Sequence, residues 1–109
     1  MKFKPRKTFE HDLKRLAKLD SSIVDEVREA IDILLEAGRL PEEFGDHPLQ
    51  RRWSGYQEFH LRDTPKGTNP NDINDVLVVY RWDYDELILV GVRVGSHQTL
   101  FNNANQKYK

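Results

Sequence analysis

A chain of 109 residues is long enough to bury about two thirds of the surface its unfolded form exposes, so one domain spanning residues 1–109 is expected. It has no cysteine, which excludes a disulfide scaffold, a thiolate metal site and a cysteine nucleophile. The formal charge of −1 divides into +4 over residues 1–20, −6 over 21–46, +2 over 47–62 and −1 over the rest, which sum to −1. Bulk charge therefore cannot hold a polyanion, although local basic ground exists.

Residues 2–8, KFKPRKT, are short, basic and interrupted by Pro5, which lacks a backbone donor, so they suit an edge strand. From Phe9 the period changes. Phe9, Leu13, Leu16 and Ala17 recur three and four apart and predict a helix with His11, Lys14, Arg15 and Lys18 on its wetter side. Asp20-Ser21-Ser22 breaks it, and Ser22 to Asp25 has capping-box spacing. Val24, Val27, Ile31, Leu34 and Leu35 then form a second apolar stripe ending at Gly38, so two antiparallel helices are expected.

Past Leu40-Pro41 helical periodicity is lost. From Trp53 the chain alternates, with Trp53, Phe59 and Leu61 expected on one face and Tyr56, Glu58, His60 and Arg62 on the other. Residues 63–74, DTPKGTNPNDIN, read as a long flexible loop. Residues 76–82 and 87–94 are rich in β-branched side chains and flank Asp83-Tyr84-Asp85, so they read as a central antiparallel hairpin. Along its second strand Ile88, Val90, Val92 and Val94 are expected on one face, Gly91 and Arg93 on the other. Residues 95–101 turn off the strand end, and the polar tail 102–109 is expected to fray. The fold class is α+β, with the two helices packed on one face of a three- or four-stranded antiparallel sheet. The opposite face is expected to stay open and to carry Tyr56, Glu58, His60, Arg62 and Arg93. The longest apolar run, residues 87–92, falls far short of the roughly 18 residues of a membrane helix, and MKFKPRK has no apolar signal core. A cytoplasmic protein without membrane contact is expected.

Three of the four histidines converge on one end of that sheet in this reading. His60 lies on the open face, His47 in the loop leading to it, and His97 just past the strand of Arg93. Imidazole, with an ordinary pKa of about 6.5, both accepts and donates a proton near neutrality, which suits acid–base work on a phosphate ester. A guanidinium matches phosphate oxygens with paired hydrogen bonds. Each residue also has a plainer reading: a solvated histidine, or an Arg93 salt bridge to Glu58 or Asp75. Asp75 is an acid–base or orienting group, or simply ends the loop. Trp53, Tyr56 and Phe101 are candidates for base stacking, Trp53 being better suited to the core. Arg51, Arg52 and Arg62 are candidate phosphate contacts. His11 has no assigned role, and the histidines lack the HxH or HExxH spacing that would organise a metal site.

The block DHPLQRRWSGYQEFHL, followed by DVLVVYRW and RVGSHQTLF, resembles the YafQ-type branch of the RelE/ParE toxin superfamily, as do the TFEHDLKRL start and the LPEEFGDHPL approach. The resemblance implies a compact RelE-like, microbial ribonuclease-like fold. It also implies a ribosome-dependent, metal-independent and cofactor-free endoribonuclease that cuts mRNA. Partners would be the 70S ribosome, a DinJ/RelB-like antitoxin in a heterotetramer, and operator DNA only through that antitoxin. Carried over residue by residue, it implies catalytic roles for His47, His60, Asp75, Arg93, His97 and Phe101. Two departures stand out: residues 63–74 are inserted between His60 and Asp75, and Val76 stands where relatives often carry tryptophan. The alternatives are a gyrase-binding toxin like the ParE branch, a toxin relic that only binds an antitoxin and DNA, and a metal-dependent hydrolase.

Overall fold

The computed structural model describes residues 1–101, so the expected fraying of 102–109 lies outside the described residues. In chain order it contains β1 (Lys2–Pro5), α1 (Lys7–Leu19), α2 (Ser22–Ala37), a 3-10 turn (Glu42–Phe44), β2 (His47–Pro48), a second 3-10 turn (Arg51–Trp53), β3 (Gln57–Arg62), β4 (Val76–Asp83), β5 (Ile88–Gly95) and α3 (His97–Phe101). The α+β class holds.

The sheet is larger than expected and mixed. Five strands lie in the order β1-β5-β4-β3-β2, with β1 parallel to β5 and every other pair antiparallel. Strand β2 has only two residues, too few to show an alternation in the sequence. Strand β1 sits on the edge, where Pro5 needs no ladder partner for a missing N–H.

Helices α1 and α2 cover one sheet face. Phe9, Leu16, Ile23, Val27, Ala30 and Leu34 pack there against Phe59, Val78, Tyr80, Leu89 and Val94. The buried stripe of α1 is Phe9, Asp12 and Leu16, so it is turned slightly from the predicted one and includes an aspartate. The N-cap of α2 is Ser21, without a side-chain cap bond, and the side chain that reaches the first turn belongs to Asp20. Its carboxylate accepts from the Ser22 N–H (3.0 Å) and hydroxyl (2.6 Å), and Arg62 lies against its other oxygen (2.9 Å). The Ser22 bonds first and Arg62 second hold Asp20 at a pKa of about 2. Gly38 ends α2 in the left-handed region, φ 75, as the glycine there predicts.

The opposite face is not open. Trp53, Leu77, Val79, Val90, Val92 and Leu100 form a second core on it, brought there by the 3-10 turn 51–53 and by α3. Trp53 therefore lies across the sheet from Phe59, because it precedes β3 and does not share its alternation. This second layer explains why β4 and β5 are almost continuously apolar: both faces are covered. A bulge in β5 changes its phase. Val79 pairs with Arg93 and Tyr80 with Gly91, so Val92 is the extra residue. Val94 consequently joins the helix-side core while Val90 and Val92 face the other way.

The close approach of Phe3 and Phe9 to Gly91 sets a test of this packing. A β-carbon at Gly91 would lie 2.7 Å from Phe3 Cζ and 2.9 Å from Phe9 Cδ2, well inside contact distance. Gly91→Ala should lower the unfolding free energy by about 1–3 kcal/mol, the usual effect of overpacking. Urea denaturation reads this directly, and an unchanged midpoint would contradict the packing.

Candidate active site

The second sheet face ends in a cluster of imidazoles and carboxylates, built by strand register. His47 pairs with Glu58, and Glu58 with Val79, which in turn pairs with Arg93; the next row holds His60 and Leu77. The residue before His47 is anchored from beneath, since the Tyr80 hydroxyl donates to both carboxylate oxygens of Asp46 at 2.7 and 2.8 Å. Burial raises the Asp46 pKa, with the Tyr80 bond opposing it.

Glu58 is only 5% exposed. Its Oε1 lies 2.8 Å from His47 Nε2 and 3.4 Å from His60 Nε2, while its Oε2 is buried with no partner among the described residues. The other ring nitrogen of His60, Nδ1, lies 2.8 Å from the carboxylate of Asp63. Both His60 nitrogens thus face groups that only accept, which is satisfied when both carry protons. Burial pulls the His60 pKa down, but the bonds to Asp63 and then Glu58 outweigh it and leave the pKa raised. Protonated His60 therefore favours the folded state below its ordinary pKa near 6.5, and that contribution fades as pH rises through the higher folded value.

His97 has a carboxylate of its own. Buried Asp75 accepts the His97 backbone N–H on Oδ2 at 2.9 Å and the His97 Nδ1–H on Oδ1 at 2.9 Å, with Oδ2 also 3.1 Å from Nδ1. That arrangement starts α3 and fixes the tautomer, so Nε2 of a neutral His97 carries the lone pair. The His60 and His97 rings are 5.1 Å apart, and Phe101 stands 6.3 Å from His97 and 5.5 Å from Trp53.

Arg93 is 6% exposed, and its partner is neither Glu58 nor Asp75. Beyond the end of β1, α1 crosses the bare edge of β5. There Thr8 donates to the Val92 carbonyl (2.7 Å), and Asp12 accepts the Val94 N–H (3.0 Å) together with Arg93 Nε (2.7 Å) and Nη2 (3.1 Å). Arg93 Nη1 is buried with no partner among the described residues. Removing one side of so buried a pair costs about 3–5 kcal/mol.

The remaining expectations divide. Tyr56 is half-buried, edge-on to Trp53, with the Arg6 guanidinium 5.6 Å above its ring. Arg51 and Arg52 are exposed on the turn that carries Trp53, Arg51 in the left-handed region at φ 58. Arg62 is turned to the helix side. It is held by Glu26, Asp20 (2.9 Å), the Ser22 hydroxyl (2.9 Å) and the Ile73 carbonyl (3.1 Å), and these carboxylates raise its pKa. A guanidinium so engaged is a clamp between β3 and α2, separate from the histidine cluster.

The loop expected to be flexible is laced by hydrogen bonds. Asn71 Oδ1 accepts the N–H groups of Ile73 and Asn74, and Asp72 lies against Arg15 (3.1 Å), Ser96 (3.2 Å) and Thr99 (3.3 Å). The sequence reading missed Asp63 as a histidine partner and Asp12 as the arginine's. An aspartate three residues from Phe9 and four from Leu16, on their face of α1, is the signal in the sequence that would have identified it. His47, Glu58 and His60 also offer ligand atoms within 4.8 Å of one another, a donor set that suits a divalent transition metal.

Comparison with known proteins identifies the fold and the family. Among solved structures, a metal-bound toxin from Helicobacter pylori superposes with a TM-score of 0.75 at 29% identity, covering 93% of this chain and 99% of that one. The YafQ chain of the E. coli DinJ–YafQ complex gives a TM-score of 0.68 at 26% identity, over 92% and 97%. The fold is that of the RelE/YafQ-like toxins. A Haemophilus influenzae YafQ homologue is 28% identical over 100 residues, 86% of this chain and 87% of its own. The family model for the bacterial toxin of type II toxin–antitoxin systems, YafQ, matches residues 1–102, and the chain belongs to that family.

Asp63 supplies a direct check of the electrostatics. In Asp63→Asn the titration midpoint of His60, followed by NMR of its ring protons, should fall relative to wild type. An unmoved His60 midpoint would show that Asp63 does not act on it.

Proposed function

We propose that this chain is a single-domain cytoplasmic toxin that cuts mRNA on the 70S ribosome without a metal, silenced by a DinJ/RelB-like antitoxin. A heterotetramer with that antitoxin, contacting operator DNA only through it, completes the reading. The relative crystallised as a DinJ–YafQ complex supports the choice of partner. The observation that carries the chemistry is the pair of histidines 5.1 Å apart, each with its own carboxylate.

The reaction is an in-line attack of the RNA 2′-oxygen on the adjacent phosphorus. The bond from phosphorus to the 5′-oxygen breaks, leaving a 2′,3′-cyclic phosphate and a 5′-hydroxyl. His97 takes the 2′-proton on Nε2, since Asp75 occupies Nδ1 and stabilises the imidazolium that forms. Asp75 is itself fully engaged by His97 and therefore positions rather than abstracts. His60, charged between Asp63 and Glu58, protonates the leaving 5′-oxygen. Its 3.4 Å contact to Glu58 is the weaker one and the one a substrate oxygen replaces. Arg93 Nη1, which has no partner among the described residues, answers the charge that develops on the phosphate oxygens. His47 steadies Glu58, and Phe101 offers a ring to a neighbouring base.

His97→Ala should lose growth inhibition and reduce cleavage by about 10²–10⁴-fold, the usual weight of a positioned acid or base, with its circular dichroism unchanged. Primer extension on message from expressing cells reads this as codon-phased cuts with the wild type that vanish with the variant. Toxicity without such cuts would favour the gyrase-binding alternative, and undiminished cuts would remove His97 from the mechanism.

A further inference from the structure

The sheet face that carries the histidines continues past the second core to a cationic recess at the other side. Lys4, Val90 and Arg81 form one row across β1, β5 and β4, and together with Arg6, Asp83 and Glu86 they line an open recess of about 370 Å³. Three cations face two carboxylates, an excess of one positive charge, and the one ion pair among them, Arg81 with Asp83, is long. Asp83 Oδ1 accepts the N–H groups of Asp85 and Glu86 at 3.1 Å, leaving its Oδ2 3.5 Å from Arg81 Nη2.

The recess is held at a fixed distance from the histidines. Arg6 stacks on Tyr56 and reaches its hydroxyl (3.4 Å). Tyr56 packs edge-on against Trp53 at 5.6 Å, Trp53 against Phe101 at 5.5 Å, and Phe101 stands beside His97. Along β4, Arg81 is four residues from Leu77, the row partner of His60, which is about 13 Å of strand. A short stretch of extended single-stranded RNA spans that distance, and duplex RNA does not follow a flat sheet face in this way.

Resting on the ribonuclease reading above, we propose that Lys4, Arg6 and Arg81 form a second phosphate subsite. It grips the backbone of single-stranded RNA a few nucleotides from the bond that is cut, with the aromatic rib from Tyr56 to Phe101 as a rigid spacer. The subsite lengthens the footprint without touching the reacting atoms. It thereby gives the chain a longer grip on RNA than its histidine cluster alone provides.

The test is fluorescence anisotropy with 2′-deoxy-substituted, uncleavable oligonucleotides of three and six nucleotides. Wild type should bind the hexamer about tenfold more tightly than the trimer, with a steeper salt dependence of about 0.7 in the log–log slope per added phosphate contact. The Lys4→Gln/Arg6→Gln double variant, and separately Arg81→Gln, should bring hexamer affinity down to that of the trimer and leave the trimer unaffected. Equal affinities of wild type for both lengths, including no measurable binding of either, would overturn the subsite. So would a loss in the variants that is the same for both lengths. Ribosome-dependent cleavage by wild type is scored in parallel: cleavage without length dependence removes only the subsite, and length-dependent binding without cleavage removes only the nuclease reading.

Discussion

One buried carboxylate organises this molecule's chemistry. Glu58 sits on a central row of the sheet at 5% exposure, and a charge so placed requires close partners of opposite sign. His47 Nε2 and His60 Nε2 both reach its Oε1, from two sides. The requirement fixes how β2 pairs with β3, because the two-residue strand β2 brings His47 directly opposite Glu58. It also biases His60 towards its charged form, since its second nitrogen already faces Asp63. The same logic recurs at the sheet edge. There buried Asp12 holds Arg93 and the Val94 backbone together and so docks α1 against the strand that carries the arginine. Two buried carboxylates, one on a helix and one on a strand, thus set the positions of three of the side chains on which catalysis would depend.

The second core makes that arrangement rigid. A sheet with one bare face would leave the histidines on a flexible edge. Here Trp53, Leu77, Val79, Val92 and Leu100 fill the face between the histidine row and the cationic recess. Burial of each of these side chains contributes on the order of 1.5–3 kcal/mol, more than any exposed ion pair in the site supplies. Residues 63–74 belong to the same structure. They deliver Asp63 to His60 at one end and Asp75 to His97 at the other, and Asp72 pins the middle to Arg15, Ser96 and Thr99.

Much of this was legible in the sequence, and what was not has identifiable causes. Helical periodicity fixed α1 and α2, and β-branched runs fixed β4 and β5, because each signal extends over many residues. The facing of Glu58 and His60 followed from simple alternation in β3. Alternation failed at Trp53, which lies in a turn before the strand, and at Val94, which a bulge moves to the helix side. No periodic signal reports a bulge. The covered second face was missed because its lid consists of a three-residue turn and a five-residue helix, both too short to read. The parallel pairing of β1 with β5 is a matter of long-range topology, and Arg62 was misjudged because its partners Asp20 and Glu26 lie 42 and 36 residues away.

The most direct measurement replaces Glu58 by glutamine and follows two quantities in one variant: cleavage of ribosome-bound message, and the NMR titration of the His60 ring. With Glu58 holding His47 and His60 in position and favouring protonated His60, cleavage should fall by about a hundredfold or more and the His60 midpoint should drop, while circular dichroism stays that of wild type. Cleavage at the wild-type rate with an unmoved His60 midpoint would show that the buried carboxylate is only part of the scaffold.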